Sequence, residues 1–166
     1  MSEPRPVTAY VALGSNLAQP VTQVTTALEE LSRLPATTLT ARSSLYRTPP
    51  LGPADQPDYI NAVACLSTGL APERLLDELQ ALEQSHGRVR AGQRWGPRTL
   101  DLDLLLYDDA IVDTPRLQVP HPQMTARAFV LHPLAEIAPG DLTIPGRGSL
   151  APLLQALSEE AIERLD

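Results

Sequence analysis

Lysine is absent from this 166-residue chain, and all 13 basic residues are arginine. That absence removes whole classes of chemistry. A Walker P-loop or a protein-kinase site needs a phosphate-binding lysine, and Schiff-base catalysis needs a lysine amine. Neither GxxxxGK nor GxGxxG occurs in the chain. Cysteine is reduced to Cys65, which cannot close an internal disulfide. It lies in the apolar run INAVACL, where a buried, inert thiol in a reducing compartment, the cytoplasm, is expected. The three histidines, His86, His121 and His132, have no metal-ligand spacing with one another or with Cys65, so no zinc site is expected. Aromatic residues amount to 4% of the chain, thin material for stacking nucleic-acid bases. Positive charge is scarce too: a formal net charge of −7 opposes non-specific binding to nucleic acid or to a membrane. No stretch approaches the roughly 20 apolar residues that a membrane helix requires, and the polar start MSEPRP does not read as a signal peptide. A chain of this length is expected to form one domain, residues 1–166, burying about 70% of the surface its unfolded form exposes.

What is present is concentrated in RWGPRTLDLDLLLY, residues 94–107. Asp101 and Asp103 alternate with Leu100, Leu102 and Leu104, so in a strand both carboxylates share one face, their Cα atoms roughly 6 to 7 Å apart. That spacing suits two carboxylates converging on one metal ion or bridging a pair. The leucine face can be buried while the charges are held at an edge or cleft. An acid pair on so apolar a strand needs compensation, and Mg²⁺ shared with a polyphosphate supplies it. Just upstream, Arg88, Arg90, Arg94 and Arg98 fall within eleven residues that contain no acid. A cationic loop beside paired acids is the composition expected for phosphoryl transfer, whereas a bare DxD is equally a solvated edge strand.

Periodicity gives the elements. Val7–Leu13 reads as a strand ending at Gly14, with Ser15 or Asn16 as cap of a helix carrying Val21, Val24, Leu28 and Leu31 toward Pro35. A second strand is expected over 38–47, then the proline-rich loop from Thr48 to Pro53, and a third strand over 58–68 with Tyr59, Asn61, Val63 and Cys65 on one face. Pro72 opens a helix to about His86 with Leu75, Leu76, Leu79 and Leu82 buried. After the Asp strand, DTPRLQVPHPQM is irregular, a short helix is expected over 126–137 despite Pro133, and a last helix over 150–165. The order βαββαβ implies an α+β, ferredoxin-like sandwich with helices covering one face and a decorated C-terminal third.

Three ordered motifs, RTPPLGPADQPDYINAV, GRVRAGQRWGPRTLDLDLLLY and VPHPQMTARAFVLHPLAEIAP, lie between ALGSNL and LAEIAP. With them, nearly the whole sequence resembles the 6-hydroxymethyl-7,8-dihydropterin pyrophosphokinase (dihydropterin diphosphokinase) family. The resemblance implies transfer of an intact pyrophosphoryl group from ATP to the pterin hydroxymethyl oxygen, with release of AMP, in folate biosynthesis. It implies that Asp101 and Asp103 hold two Mg²⁺ ions and that Arg88, Arg90 and Arg98 belong to a mobile loop closing over the nucleotide, with Arg88 and Arg98 acting beside the paired acids in catalysis. Gln80 and Glu83 match positions lining the nucleotide site, as do Arg116 and His121, while Arg127 matches a phosphate-side arginine. The Leu104 backbone matches a contact to adenine. For the pterin, Tyr59 and Phe129 match a sandwich around the ring, and Thr48, Asn61 and the Leu51 backbone match partners of its polar edge. Trp95 matches a loop residue that packs inward on closure. The chain departs from the family at Ala91-Gly92-Gln93, where additional charge is common.

The substrates implied are small molecules, with no nucleic acid or membrane partner, and the chain is expected to be a monomer. Two rival readings share the same features. A two-metal nucleotidyltransferase or cyclase would attack the α-phosphate and release pyrophosphate, and a small-ligand-binding domain of the same fold would bind without turnover.

Overall fold

The computed structural model describes residues 6–16, 19–48, 58–86, 100–157 and 162–165. β1 (Val7–Ser15) is followed by α1 (Pro20–Leu31), β2 (Thr37–Arg42), β3 (Leu45–Thr48), β4 (Tyr59–Thr68), α2 (Pro72–Ser85) and β5 (Asp101–Tyr107). Two short strands, β6 (Val112–Asp113) and β7 (Gln118–Val119), lead to a 3-10 turn at Met124–Ala126 and α3 (Ala128–Ile137). The chain ends with β8 (Thr143–Ile144), β9 (Gly148–Ser149), α4 (Leu150–Gln155) and β10 (Glu163–Leu165). The main sheet has six strands in the order β10-β3-β4-β1-β5, with β2 also paired to β4, and every pairing is antiparallel.

β1 and β4 are buried almost without alternation, as expected of central strands covered on both faces. One face packs Val11, Leu13, Leu102 and Leu104 against Leu28 and Leu31 of α1 and Leu75 and Leu79 of α2. The other packs Tyr10, Val63 and Leu105 against Leu131 and Leu134 of α3 and Leu150 of α4. Helices therefore cover both faces, a correction to the one-sided sandwich expected from the sequence. The C-terminal third supplies a core of its own because its apolar residues fit the second face of those central strands. Cys65 pairs with Tyr10 across β4 and β1, and burial together with the Cys65 thiol pushes the Tyr10 hydroxyl pKa up to about 12.

Four local expectations are overturned. Ser15 ends β1 opposite Ile60 instead of capping a helix, and α1 starts at Pro20 behind Gln19 in the left-handed region, without a side-chain cap. Proline suits this first turn because its missing N–H would have had no intrahelical partner. Val21, in that same turn, is 47% exposed, and Ala27 takes its place on the buried stripe. The strand expected over 38–47 is broken at Ser43-Ser44. There the Ser43 amide donates to the Val63 carbonyl at 2.9 Å while the Ser43 hydroxyl accepts from the Val63 amide at 2.9 Å. A side chain thus substitutes for one rung of the ladder. The helix expected over 150–165 stops at Gln155, and β10 instead pairs Glu163, Arg164 and Leu165 with Arg47, Tyr46 and Leu45. Pairing that covers the open edge of β3 outweighs a helical period.

Candidate active site

The geometry of the site is set by one glycine. Gly14 of β1 is registered opposite Asn61 on β4 and, on its other side, opposite Asp101 on β5. Residues directly opposite in an antiparallel pair point to the same face, so Asn61 and Asp101 flank Gly14 on one surface, roughly 10 Å apart across two strand spacings. One step along, Ala12 is likewise opposite Val63 and Asp103. A Cβ at position 14 would lie 3.1 Å from Asn61 Oδ1 and 3.9 Å from Tyr59 Cδ1. Glycine there allows a close approach that a Cβ would crowd, a role different from the turn suggested by its sequence context.

On the β5 side the alternation read from the sequence holds. Leu100, Leu102 and Leu104 are buried in the helix-covered core, while Asp101 and Asp103 are partly exposed on the opposite face. β5 is an edge strand, and its Leu102 amide, between the two acids, donates to Glu83 Oε2 of α2 at 2.7 Å. Glu83 is buried, so this charge-assisted bond fixes the strand segment that carries both carboxylates. Glu83→Ala leaves a buried amide without its acceptor and is expected to lower unfolding free energy by about 1–3 kcal/mol. A denaturant titration with an unchanged midpoint would show that the bond contributes nothing.

His121 is held against the outer edge of β5, its amide donating to the Leu105 carbonyl at 3.0 Å. Its Nδ1 accepts from the Gln123 amide at 3.2 Å, and its Nε2 lies 4.0 Å from Asp103 Oδ1. Burial lowers the imidazole pKa; Asp103 raises it in part, and Arg127 and Arg147 lower it further. The net shift favours the neutral ring, and with Nδ1 accepting from the Gln123 amide the neutral form carries its proton on Nε2, the nitrogen turned toward Asp103. Arg147 donates to the Pro122 carbonyl at 3.1 Å and to Thr125 Oγ1 at 3.2 Å. Nothing in its sequence surroundings, IPGRGSL, marked it as part of this cationic group; only the return of the β8–β9 hairpin brings it there.

On the β4 side, the Asn61 amide nitrogen donates to Thr48 Oγ1 at 2.8 Å, and both residues are buried. Tyr59 is opposite Thr48 across β3 and β4. Phe129, in the first turn of α3, packs against the core on that same face, and the Arg127 guanidinium lies 5.6 Å from its ring centroid, within cation–π range. Arg127 is also hydrogen-bonded to Gln123. Further out, on the exposed flank of α2, Arg116 pairs with Asp77 and approaches Gln80 Oε1 at 3.4 Å. The hydrogen bond to Asp77 raises the Arg116 pKa. Arg116 and Gln80 are thus brought together. Leu51, Arg88, Arg90, Arg94, Trp95 and Arg98 lie outside the described residues.

Residues 10–139 match the family described as 7,8-dihydro-6-hydroxymethylpterin-pyrophosphokinase (HPPK). The chain belongs to this family. The 2-amino-4-hydroxy-6-hydroxymethyldihydropteridine pyrophosphokinase of Pseudomonas aeruginosa is 59% identical over 156 residues, 94% of this chain and 95% of that protein. The protein of the same name from Haemophilus influenzae is 49% identical over 160 residues, 96% of this chain and 99% of that protein. Among solved structures, Plasmodium falciparum HPPK-DHPS wild type with pteroate superposes with a TM-score of 0.73 at 13% identity, over 94% of this chain and 43% of that one. The same protein with pterin and p-hydroxybenzoate gives 0.71 at 14% identity, over 93% of this chain and 42% of that one. This chain therefore spans less than half of those solved chains, and at such identities they speak for the fold alone. Membership of the family, resting on the sequence relatives, removes both the nucleotidyltransferase and the non-catalytic rival.

Proposed function

We infer that this chain is an ATP-dependent pyrophosphokinase of folate biosynthesis. It transfers pyrophosphate from ATP to the hydroxymethyl oxygen of 6-hydroxymethyl-7,8-dihydropterin and releases AMP. The observation that carries this reading is the register across Gly14, with an amide suited to a pterin edge and a carboxylate suited to metal on one sheet face.

On the pterin side, Asn61 spends one N–H on Thr48, which leaves its carbonyl, its second N–H and the Thr48 hydroxyl proton for a planar ring with donors and acceptors along one edge. The Leu51 backbone completes that edge, and Tyr59 and Phe129 sandwich the ring by offset stacking. Gly14→Ala forces the Asn61 side chain to shift by a few tenths of an ångström. It is expected to weaken pterin affinity about tenfold through a misaligned hydrogen bond while ATP affinity stays unchanged, as measured by calorimetry with each ligand alone. Equal pterin affinity in the two proteins would contradict the placement of Asn61.

On the ATP side, the neutral His121 offers its Nε2 proton, and Arg127 offers charge, to phosphate oxygens. Arg88, Arg90 and Arg98 clamp the polyphosphate with guanidinium forks, Arg88 and Arg98 next to the reacting group. Gln80, Arg116 and the Leu104 backbone attend the nucleoside end, and Glu83 serves the site by holding β5. Asp101 and Asp103 fit Mg²⁺: they are hard oxygen donors on one face, and Asp103 is 45% exposed, leaving room for the waters and phosphates that Mg²⁺ keeps in its shell. Two bound ions would neutralise charge on the polyphosphate and orient the β-phosphorus for in-line attack.

We read the main sheet as the ferredoxin-like βαββαβ arrangement, with β2 and β3 as one interrupted strand, within a single domain over residues 1–166. Among the described residues no helix is long and apolar enough to cross a membrane. We assign the chain to the cytoplasm as a monomer acting on small molecules, without nucleic acid. Nucleotide chromatography tests the reaction. ATP, Mg²⁺ and the pterin alcohol should give AMP and pterin diphosphate in equal amounts. ADP would indicate monophosphoryl transfer, and free pyrophosphate attack at the α-phosphorus.

A further inference from the structure

α3 covers the sheet face that carries Asn61 and Asp101, and its last turn holds Glu136, far from the acid pair. The Glu136 carboxylate accepts from the Ser44 amide at 2.9 and 3.0 Å, from the Ser44 hydroxyl at 3.0 Å and from the Tyr46 hydroxyl at 2.8 Å. Arg164 of β10 approaches it at 3.4 Å and donates to the Ser44 hydroxyl at 3.1 Å. One anion therefore ties α3 to the β2–β3 break, to β3 and to the edge strand. Burial pushes the Glu136 pKa up, but the Ser44 amide, the Tyr46 and Ser44 hydroxyls and Arg164 together outweigh it, so the carboxyl stays below its usual range. It is an anion held by oriented donors, unlike an exposed ion pair of little net effect.

What this anchor holds is the pterin side of the sheet. Tyr46 is opposite Asn61, and Thr48 is opposite Tyr59, so all four side chains lie on the face that α3 covers. Phe129 precedes Glu136 by seven residues, two helical turns, and lies on the same stripe of α3, roughly 10 Å away. Ser44, just before β3, and Thr48 at its end are separated by a similar distance, roughly 13 Å. Fixing Glu136 on Ser44 and Tyr46 therefore fixes where Phe129 stands relative to Thr48 and Tyr59.

We propose that Glu136 and Tyr46 are a positioning pair that sets the gap between the two walls of the pterin pocket, α3 on one side and the β3–β4 pair on the other. Neither residue touches the pterin. This inference rests on the pterin assignment made above.

The test compares Glu136→Gln, Tyr46→Phe and the double variant with the unaltered protein. Calorimetry is run with pterin and with ATP separately, alongside steady-state kinetics and thermal melting. Tyr46→Phe keeps the ring and so keeps the fold. Each single variant should weaken pterin binding about tenfold, raise KM for pterin by the same factor, and leave kcat and ATP affinity within about twofold. The double variant should be little worse than Glu136→Gln alone, because the Tyr46 hydroxyl is proposed to act through Glu136. Arg164→Ala removes charge but leaves the Tyr46 bond, and should lower Tm without changing pterin affinity. Pterin affinity within twofold of normal in folded Tyr46→Phe would overturn the proposal. So would parallel losses of pterin and ATP affinity that follow Tm. If the unaltered protein itself failed to bind pterin, the functional reading and this inference would fall together.

Discussion

Asp101→Asn and Asp103→Asn are each expected to lower turnover on the order of a thousandfold or more, because in the proposed site each removes an anionic oxygen donor that would hold the Mg²⁺ ions neutralising the polyphosphate. The fold should survive. Both side chains are partly exposed at an edge strand, and asparagine is nearly isosteric. The leucines on the opposite face of β5 remain in the core, and Glu83 still holds the Leu102 amide. Circular dichroism and turnover measured on the same preparations separate the two effects. Near-normal activity at limiting Mg²⁺ in either variant would remove that residue from the metal site.

The second large effect falls on the other side of Gly14. Asn61→Ala takes away the side chain that donates to Thr48 and that we propose faces the pterin edge, and Tyr59→Ala takes away one of the two proposed stacking surfaces. Loss of a buried hydrogen-bond partner amounts to about 1–3 kcal/mol, hence roughly ten- to hundredfold in pterin affinity, while ATP affinity should stay unchanged. Calorimetry with each ligand alone reads this directly. A loss confined to ATP would mean that the two pockets have been exchanged.

How much of this was legible beforehand follows from the kind of signal each residue carries. The alternation of Asp101 and Asp103 with leucine is local, and β5 is the strand it implied, with the leucines buried. The helix from Pro72 and the strand that places Asn61, Val63 and Cys65 on one face are local signals too. What escaped depends on pairing at long range. Gly14 resembles a turn until its two cross-strand neighbours are known. The Ser43-Ser44 break is invisible because a serine hydroxyl takes over a backbone rung. β10 has a helical period and pairs as a strand only because β3 offers an open edge. Arg147 reaches His121 only through the fold of the C-terminal third. Glu83 matched a nucleotide-lining position, and its carboxylate also accepts from the Leu102 amide, a contact that requires α2 and β5 to be packed together.

The central claim is that the β- and γ-phosphoryl groups leave together as one unit across the face that joins Asp101 to Asn61. The most direct measurement uses two preparations of ATP, one labelled at the β-phosphorus and one at the γ-phosphorus, each converted with Mg²⁺ and 6-hydroxymethyl-7,8-dihydropterin and resolved by chromatography. The account predicts that both labels appear wholly in the pterin product and that the AMP formed carries neither. Transfer of the γ label alone, with the β label retained in a nucleoside diphosphate, would contradict it.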